Sequence, residues 1–248
     1  MATASAELLQ EFVQLARGAA GENLLSIVLY GSAARGAERH AYSDLNLLCA
    51  VKSAGRGDLD RLASVVDWWS RGQRQRPPLV FTVDELRRSA DVFAIEMLDM
   101  KEARKVLYGE DIIADIAVPT NLHRVQVEHE LRTVIQKLRQ HYLHDSQDSS
   151  LLRSVLVKSW SSAATLLRHS LIAMGEEGPA RGEDLIGRVA AVLKVDAAPL
   201  RAVLKLREGG VPAGSVASVY GDYVGVLERV TERIDACLPK PEWRRTGA

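Results

Sequence analysis

The stretch Leu29-Tyr-Gly-Ser-Ala-Ala-Arg-Gly36, followed by Ser43-Asp-Leu-Asn-Leu-Leu48, decides how this chain is read. Leu24 to Tyr30 is a short apolar, β-rich run, the pattern of a buried strand. Gly31-Ser32 breaks it sharply, and a helix start is expected there. Leu45 to Val51 is a second apolar run, preceded by an acidic residue, Asp44. Each of these positions has a chemical logic. Gly31 lets the backbone approach a phosphate closely. Ser32 offers a hydroxyl and a backbone N–H at a helix N-terminus, where the dipole favours anions. Asp44 stands where a strand begins, able to hold Mg²⁺ against the same phosphates. Residues 44 and 46 are two apart on that strand and so face the same side.

Outward from this core, the pattern alternates. Upstream, residues 5 to 18 read as an amphipathic helix carrying Leu8, Leu9, Phe12, Val13, Leu15 and Ala16, with Gly18 and Gly21 at its end. Downstream, a helix is expected from Asp58 to about Ser70, with Leu59, Leu62, Val65, Val66 and Trp69 on one face. Arg71 to Pro78 reads as a solvated basic loop, and Leu79 to Thr82 as a third strand. Thr82-Val-Asp-Glu85 fits a capping box that opens a short helix. Phe93 to Met100 is expected to be a fourth strand, and Lys105 to Tyr108 a fifth, closed by Gly109. After Pro119 only helical periods remain: Leu122 to Leu143, Leu151 to Met174 and Val216 to Leu238, with shorter helices at about Asp184 to Leu193 and Pro199 to Arg207. The tail Pro239 to Ala248 is expected to fray. The class is α+β: an N-terminal mixed sheet with flanking helices over residues 1–118, then a helical bundle over 119–248.

Composition narrows the function. The 248 residues hold 32 Lys+Arg and 32 Asp+Glu, a net charge of zero that argues against a dedicated electrostatic nucleic-acid binder. Only 5% are aromatic, too few for a base-stacking platform. Cys49 and Cys237 lie outside any metal-type spacing. Met1 to Leu9 lacks a basic start followed by an apolar run, so no secretory leader is expected. No stretch has the roughly 20 uninterrupted apolar residues of a membrane helix, and a cytoplasmic location is the expectation.

The Gly31-Ser32 turn with Ala-Arg-Gly after it, joined to Ser43-Asp44-Leu45, resembles the DNA-polymerase-β-like nucleotidyltransferase superfamily, the minimal and aminoglycoside-type enzymes above all. Their signature is Gly-Ser, several residues, then Asp-x-Asp on the next strand. The resemblance covers roughly residues 20 to 115, and a helical domain behind that part is also what such two-domain enzymes have. It implies a nucleoside triphosphate as partner, ATP first, Mg²⁺ as cofactor, and an acceptor of unknown identity. It also implies Gly31, Ser32 and Arg35 as nucleotide-binding residues, Arg35 serving equally to brace the loop. The chain departs from the family at Asn46, where the second aspartate falls. Asn46 keeps a carbonyl oxygen for Mg²⁺ but lacks the charge. A unit charge pair about 4 Å apart is worth about 4 kcal/mol at an effective dielectric of about 20, so weaker metal binding, by one ion, is expected. The family's third carboxylate is assigned to Glu96, with Asp99 behind it. A carboxylate within an apolar strand is costly unless it is paired or binds metal. The metal set is then Asp44, Asn46 and Glu96, and Asp44 and Glu96 carry the catalysis.

The function this implies is Mg-dependent transfer of a nucleoside monophosphate to a small-molecule or protein hydroxyl. The alternative is a catalytically impaired relative that binds nucleotide and acts through a protein partner. In the helical half, Arg139 and His144 have a spacing similar to that of helical-bundle ribonucleases of the HEPN type, but charged residues are common on helix faces and chance accounts for it. His123, His129, His141 and His144 spread around their helix and do not suggest a zinc site.

Overall fold

The structure, a computed structural model, describes residues 2–35, 45–176, 178, 180–210 and 214–237. The chain divides into two compact units, Met1–Thr120 and Asn121–Ala248. Each has its own core.

In the first unit, helix α1 (Ala2–Ala20) leads into strand β1 (Leu24–Tyr30), and β2 (Asn46–Val51) follows. Helix α2 (Arg56–Asp67) widens into a π-type turn at Trp68–Gly72 before β3 (Leu79–Thr82). Helices α3 (Val83–Arg88) and α4 (Ala94–Glu102) precede β4 (Arg104–Gly109). The strands form a mixed sheet in the order β3-β2-β1-β4. Strand β1 runs antiparallel to both β2 and β4, and β2 runs parallel to β3.

Both faces of this sheet are covered, which is why β1 and β2 read as unbroken apolar runs rather than alternating ones. Ile27, Leu29, Leu47, Cys49 and Val51 meet Phe12 and Ala16 of α1 and Leu62 and Val65 of α2. Val28, Leu48 and Ala50 point the other way, onto Leu86, Met97 and Met100. Thr82 caps α3 with its side chain, and Glu85 returns the bond to the Thr82 N–H at 2.8 Å, as the capping-box pattern predicts.

One expected strand is a helix. Phe93 to Met100 reads as an apolar run, yet Ala94–Glu102 is helical, burying Ala94, Ile95, Met97 and Met100 on one side. The residues are Ala, Met, Leu, Glu and Lys for the most part, strong helix formers whose straight or absent side chains lose little freedom in a helix. The apolar spacing fits 3.6 as well as it fits a buried strand, and propensity decides. Lys101 near the end of α4 donates to the carbonyls of Ala114 at 2.8 Å and Ile116 at 2.7 Å, tying down the segment that leaves β4.

The second unit is helical: α5 (His123–Asp145), α6 (Ser149–Ala173), α7 (Gly182–Leu193), α8 (Ala198–Arg207) and α9 (Val216–Ala236). Helix α6 packs against each of the other four. His123 and His169 are buried and share a hydrogen bond of 2.8 Å between ring nitrogens. The expected tail at 239–248 lies outside the described residues. No helix among the described residues is long and apolar enough to cross a membrane.

Candidate active site

The turn after β1 is built around Gly31. Its φ of +78° is a left-handed backbone that glycine adopts without steric cost. Its N–H donates to the Ala103 carbonyl at 3.2 Å, which ties the turn to the junction of α4 and β4. A Cβ on Gly31 would lie 3.3 Å from Nδ2 of Asn46, so the missing side chain is what makes room for the Asn46 amide. Cross-strand register explains the meeting, because Tyr30 pairs with Asn46 at the end of β1.

Ser32 is exposed and sits in a short 3-10 turn, Gly31–Arg35. The helix expected at this point is therefore, over the described residues, a single tight turn. Its few N–H groups, rather than a long helix dipole, are what it offers an anion. Arg35 closes that turn in the backbone. Asp44 lies outside the described residues.

Glu96 reaches the same locality from α4, not from a strand. The phenol of Tyr30 reports this. Burial pushes its pKa above the ordinary value, the negative charge of Glu96 pushes it further, Arg76 opposes, and Asp99 adds a smaller push. The charges of Glu96, Asp99 and Arg76 thus all act on the Tyr30 phenol, which packs on the sheet face that carries Met97 and Met100 of α4. Glu96 and Asp99 are three apart on the helix and so share a side of it. Both are partly buried. Nearby, Arg104 pairs with Asp111 at 2.9 Å and Arg88 with Asp84 at 3.9 Å.

Sequence reasoning missed three residues at this end of the sheet. Tyr30 directly precedes the glycine, and its parity along β1 was the available signal. Arg76 and Gln75 belong to the segment read as a solvated basic loop. Part of that reading holds, since Arg71 is exposed and pairs with Asp67 at 2.9 Å. Gln75, however, accepts a hydrogen bond from the Leu45 N–H at 3.1 Å, at the very entrance of β2.

A surface depression of about 520 Å³ is lined by Gln14, Arg17, Gly18, Gly21, Glu22 and Tyr108. It lies at the opposite end of β1 from Gly31 and touches none of the residues above. In the helical unit, Arg139 donates to Glu228 at 2.6 Å and His144 shares a 2.6 Å bond with Asp145. Each of the two is occupied by its own carboxylate. Among the described residues, no group of three or more His, Cys, Asp or Glu is arranged to hold a metal ion.

A glycine turn thus follows a central strand, with a polar strand start beside it and helices on both faces of the sheet. The chain is similar to the solved structure of spectinomycin adenyltransferase AAD(9) from Enterococcus faecialis, determined with ATP and spectinomycin. The TM-score is 0.54 at 12% identity, over 91% of this chain and 98% of that one, a likeness of fold. No protein-family model matches the chain, and no curated protein does.

Proposed function

We propose that this chain is a nucleotidyltransferase that moves a nucleoside monophosphate from a nucleoside triphosphate, ATP first, onto a hydroxyl of a small molecule or protein in the cytoplasm. The observation that carries the reading is the geometry at the end of β1, Gly31 against Asn46, with the charge of Glu96 on α4 acting on neighbouring Tyr30. The adenyltransferase of similar fold, solved with ATP and a small-molecule acceptor, supports it.

The roles follow from residue chemistry. Main-chain N–H groups that follow Gly31 in the turn and the Ser32 hydroxyl bind phosphate oxygens, with Arg35 adding charge. The donor set suits Mg²⁺, a hard cation that prefers oxygen: Asp44 and Glu96 supply carboxylates and Asn46 an amide oxygen. When bound, such an ion neutralises triphosphate charge. Glu96 or Asp44 takes the proton of the acceptor hydroxyl as its oxygen bonds to the α-phosphorus, and the bond to the leaving pyrophosphate breaks.

Asn46 favours a second reading, an impaired relative that retains nucleotide binding and acts through a protein partner. Calorimetric titration with a non-hydrolysable ATP analogue separates the two. Mg²⁺-dependent binding that Asp44→Ala abolishes is the expected result for the enzyme. Binding indifferent to both Mg²⁺ and Asp44 is the result for the impaired relative. No binding of any nucleoside triphosphate defeats both.

A further inference from the structure

We infer that Gln75 is a positioning residue for the start of β2, holding Asn46 against the Gly31 turn; this deepens the nucleotide-site reading above and rests on it. The need for such a residue is visible in the sheet. Strand β3 joins β2 only from Leu79, opposite Leu48. Among the described residues, the preceding stretch of β2 has no strand beside it on that edge. Leu45, which leads into it, is only 2% exposed. An N–H so placed needs an acceptor from the protein. Gln75 Oε1 supplies one at 3.1 Å, standing in for the missing strand.

The loop that carries Gln75 is held from several sides. Gln75 Nε2 donates to the Gln73 carbonyl at 3.2 Å, and the Gln75 N–H to the Trp69 carbonyl at 3.3 Å. The indole N–H of Trp69 donates to the Arg76 carbonyl at 2.9 Å. Trp69 is fully buried against Phe12, ring centroids 4.8 Å apart. The π-type turn, with Gln73 N–H bonded to the Trp68 carbonyl at 3.0 Å, sets the direction in which the loop leaves α2. Arg74 takes a φ of +53°, a left-handed conformation that a non-glycine residue keeps only when its surroundings enforce it. A polar side chain fixed at both of its ends, on a loop anchored in the core, is a rigid support. It acts on the residue next to Asn46, whose amide lies beside Gly31.

The test uses the full chain and two substitutions. Gln75→Leu fills similar volume and accepts no hydrogen bond; Gln75→Glu keeps the acceptor oxygen. Three quantities are read: amide exchange of Leu45, the melting midpoint, and affinity for a non-hydrolysable ATP analogue across a Mg²⁺ titration. With Gln75→Leu, Leu45 is expected to exchange faster and the analogue to bind about tenfold more weakly at saturating Mg²⁺, the size of one hydrogen bond lost. With Gln75→Glu, both are expected to return near the parent values. A Gln75→Leu chain that melts lower but binds the analogue like the parent overturns the proposal and leaves a merely structural residue. So does a Gln75→Glu chain as weak as Gln75→Leu. A parent chain that binds no nucleotide defeats the site reading itself, and a positioning role for Gln75 falls with it.

Discussion

Gly31 and Asn46 are the two residues on which the candidate site turns, and each gives a definite expectation. Gly31→Ala places a Cβ in a left-handed backbone, at a cost of about 1 kcal/mol or more. That Cβ also meets the Asn46 amide at 3.3 Å. A small drop in the urea midpoint is expected together with a large loss of ATP-analogue affinity; equal binding by the two chains in calorimetry would remove the turn from the site. Asn46→Asp adds a carboxylate at the start of β2. Lower half-saturating Mg²⁺ is expected, with any transferase activity raised, and an unchanged Mg²⁺ requirement would show that position 46 does not face the ion. The residue scale is also where sequence reading was uneven. The turn at Gly31 was legible because the backbone freedom of glycine is local. Tyr30, Gln75 and Arg76 were not. Their significance arises when a loop thirty residues further on folds back against β2, as the Leu45 to Gln75 bond records.

Among the elements, β1, β2 and β3 were legible as apolar runs ended by glycine, charge or proline, and α3 by its capping box. Helix α4 was not. Its apolar residues at 94, 95, 97, 98 and 100 satisfy either a buried strand or a helix, and a window this short cannot separate them by period. The correction changes the argument for Glu96. On a strand it would have been a carboxylate needing a reason to be buried; on α4 it is one of a pair, with Asp99, on a partly buried helical side. Helix α4 also closes its own unit through Lys101, whose ammonium reaches three main-chain carbonyls, those of Ile113, Ala114 and Ile116. Lys101→Met keeps the aliphatic stem and removes the donor. A loss of about 1–3 kcal/mol is expected, the cost of carbonyls left without a partner, measured as a fall in the urea midpoint at unchanged slope.

For the molecule as a whole, two units with separate cores predict two separable responses to alkali. Burial pushes the Cys49 thiol in the first unit from its ordinary 9.0 up to about 12. In the second unit the Tyr220 phenol is raised from 10.0 to about 12, by burial first and then by Asp145. A raised value means that the folded chain binds the proton more tightly than the unfolded one. The stability it contributes is therefore whole below the ordinary value and is lost as pH rises toward about 12. Thermal scans across that window are expected to show both units weakening. Cys49→Ala is expected to flatten the decline in the first unit only, and Tyr220→Phe in the second only; a single shared decline altered by either change would mean that the two unfold together. The mixed sheet carries a last consequence, for the order in which the chain is made. Its central strand gains β2 soon after leaving the ribosome, but its other neighbour, β4, is Arg104–Gly109. The acceptor for the Gly31 N–H, the Ala103 carbonyl, arrives with it. Until translation has passed that point, a strand of core composition keeps one edge open, a template for pairing with any neighbouring chain. A nascent chain stalled short of Gly109 is thus a client for chaperones, and the Gly31 turn is among the last parts of its unit to be finished although it is among the first to be synthesised.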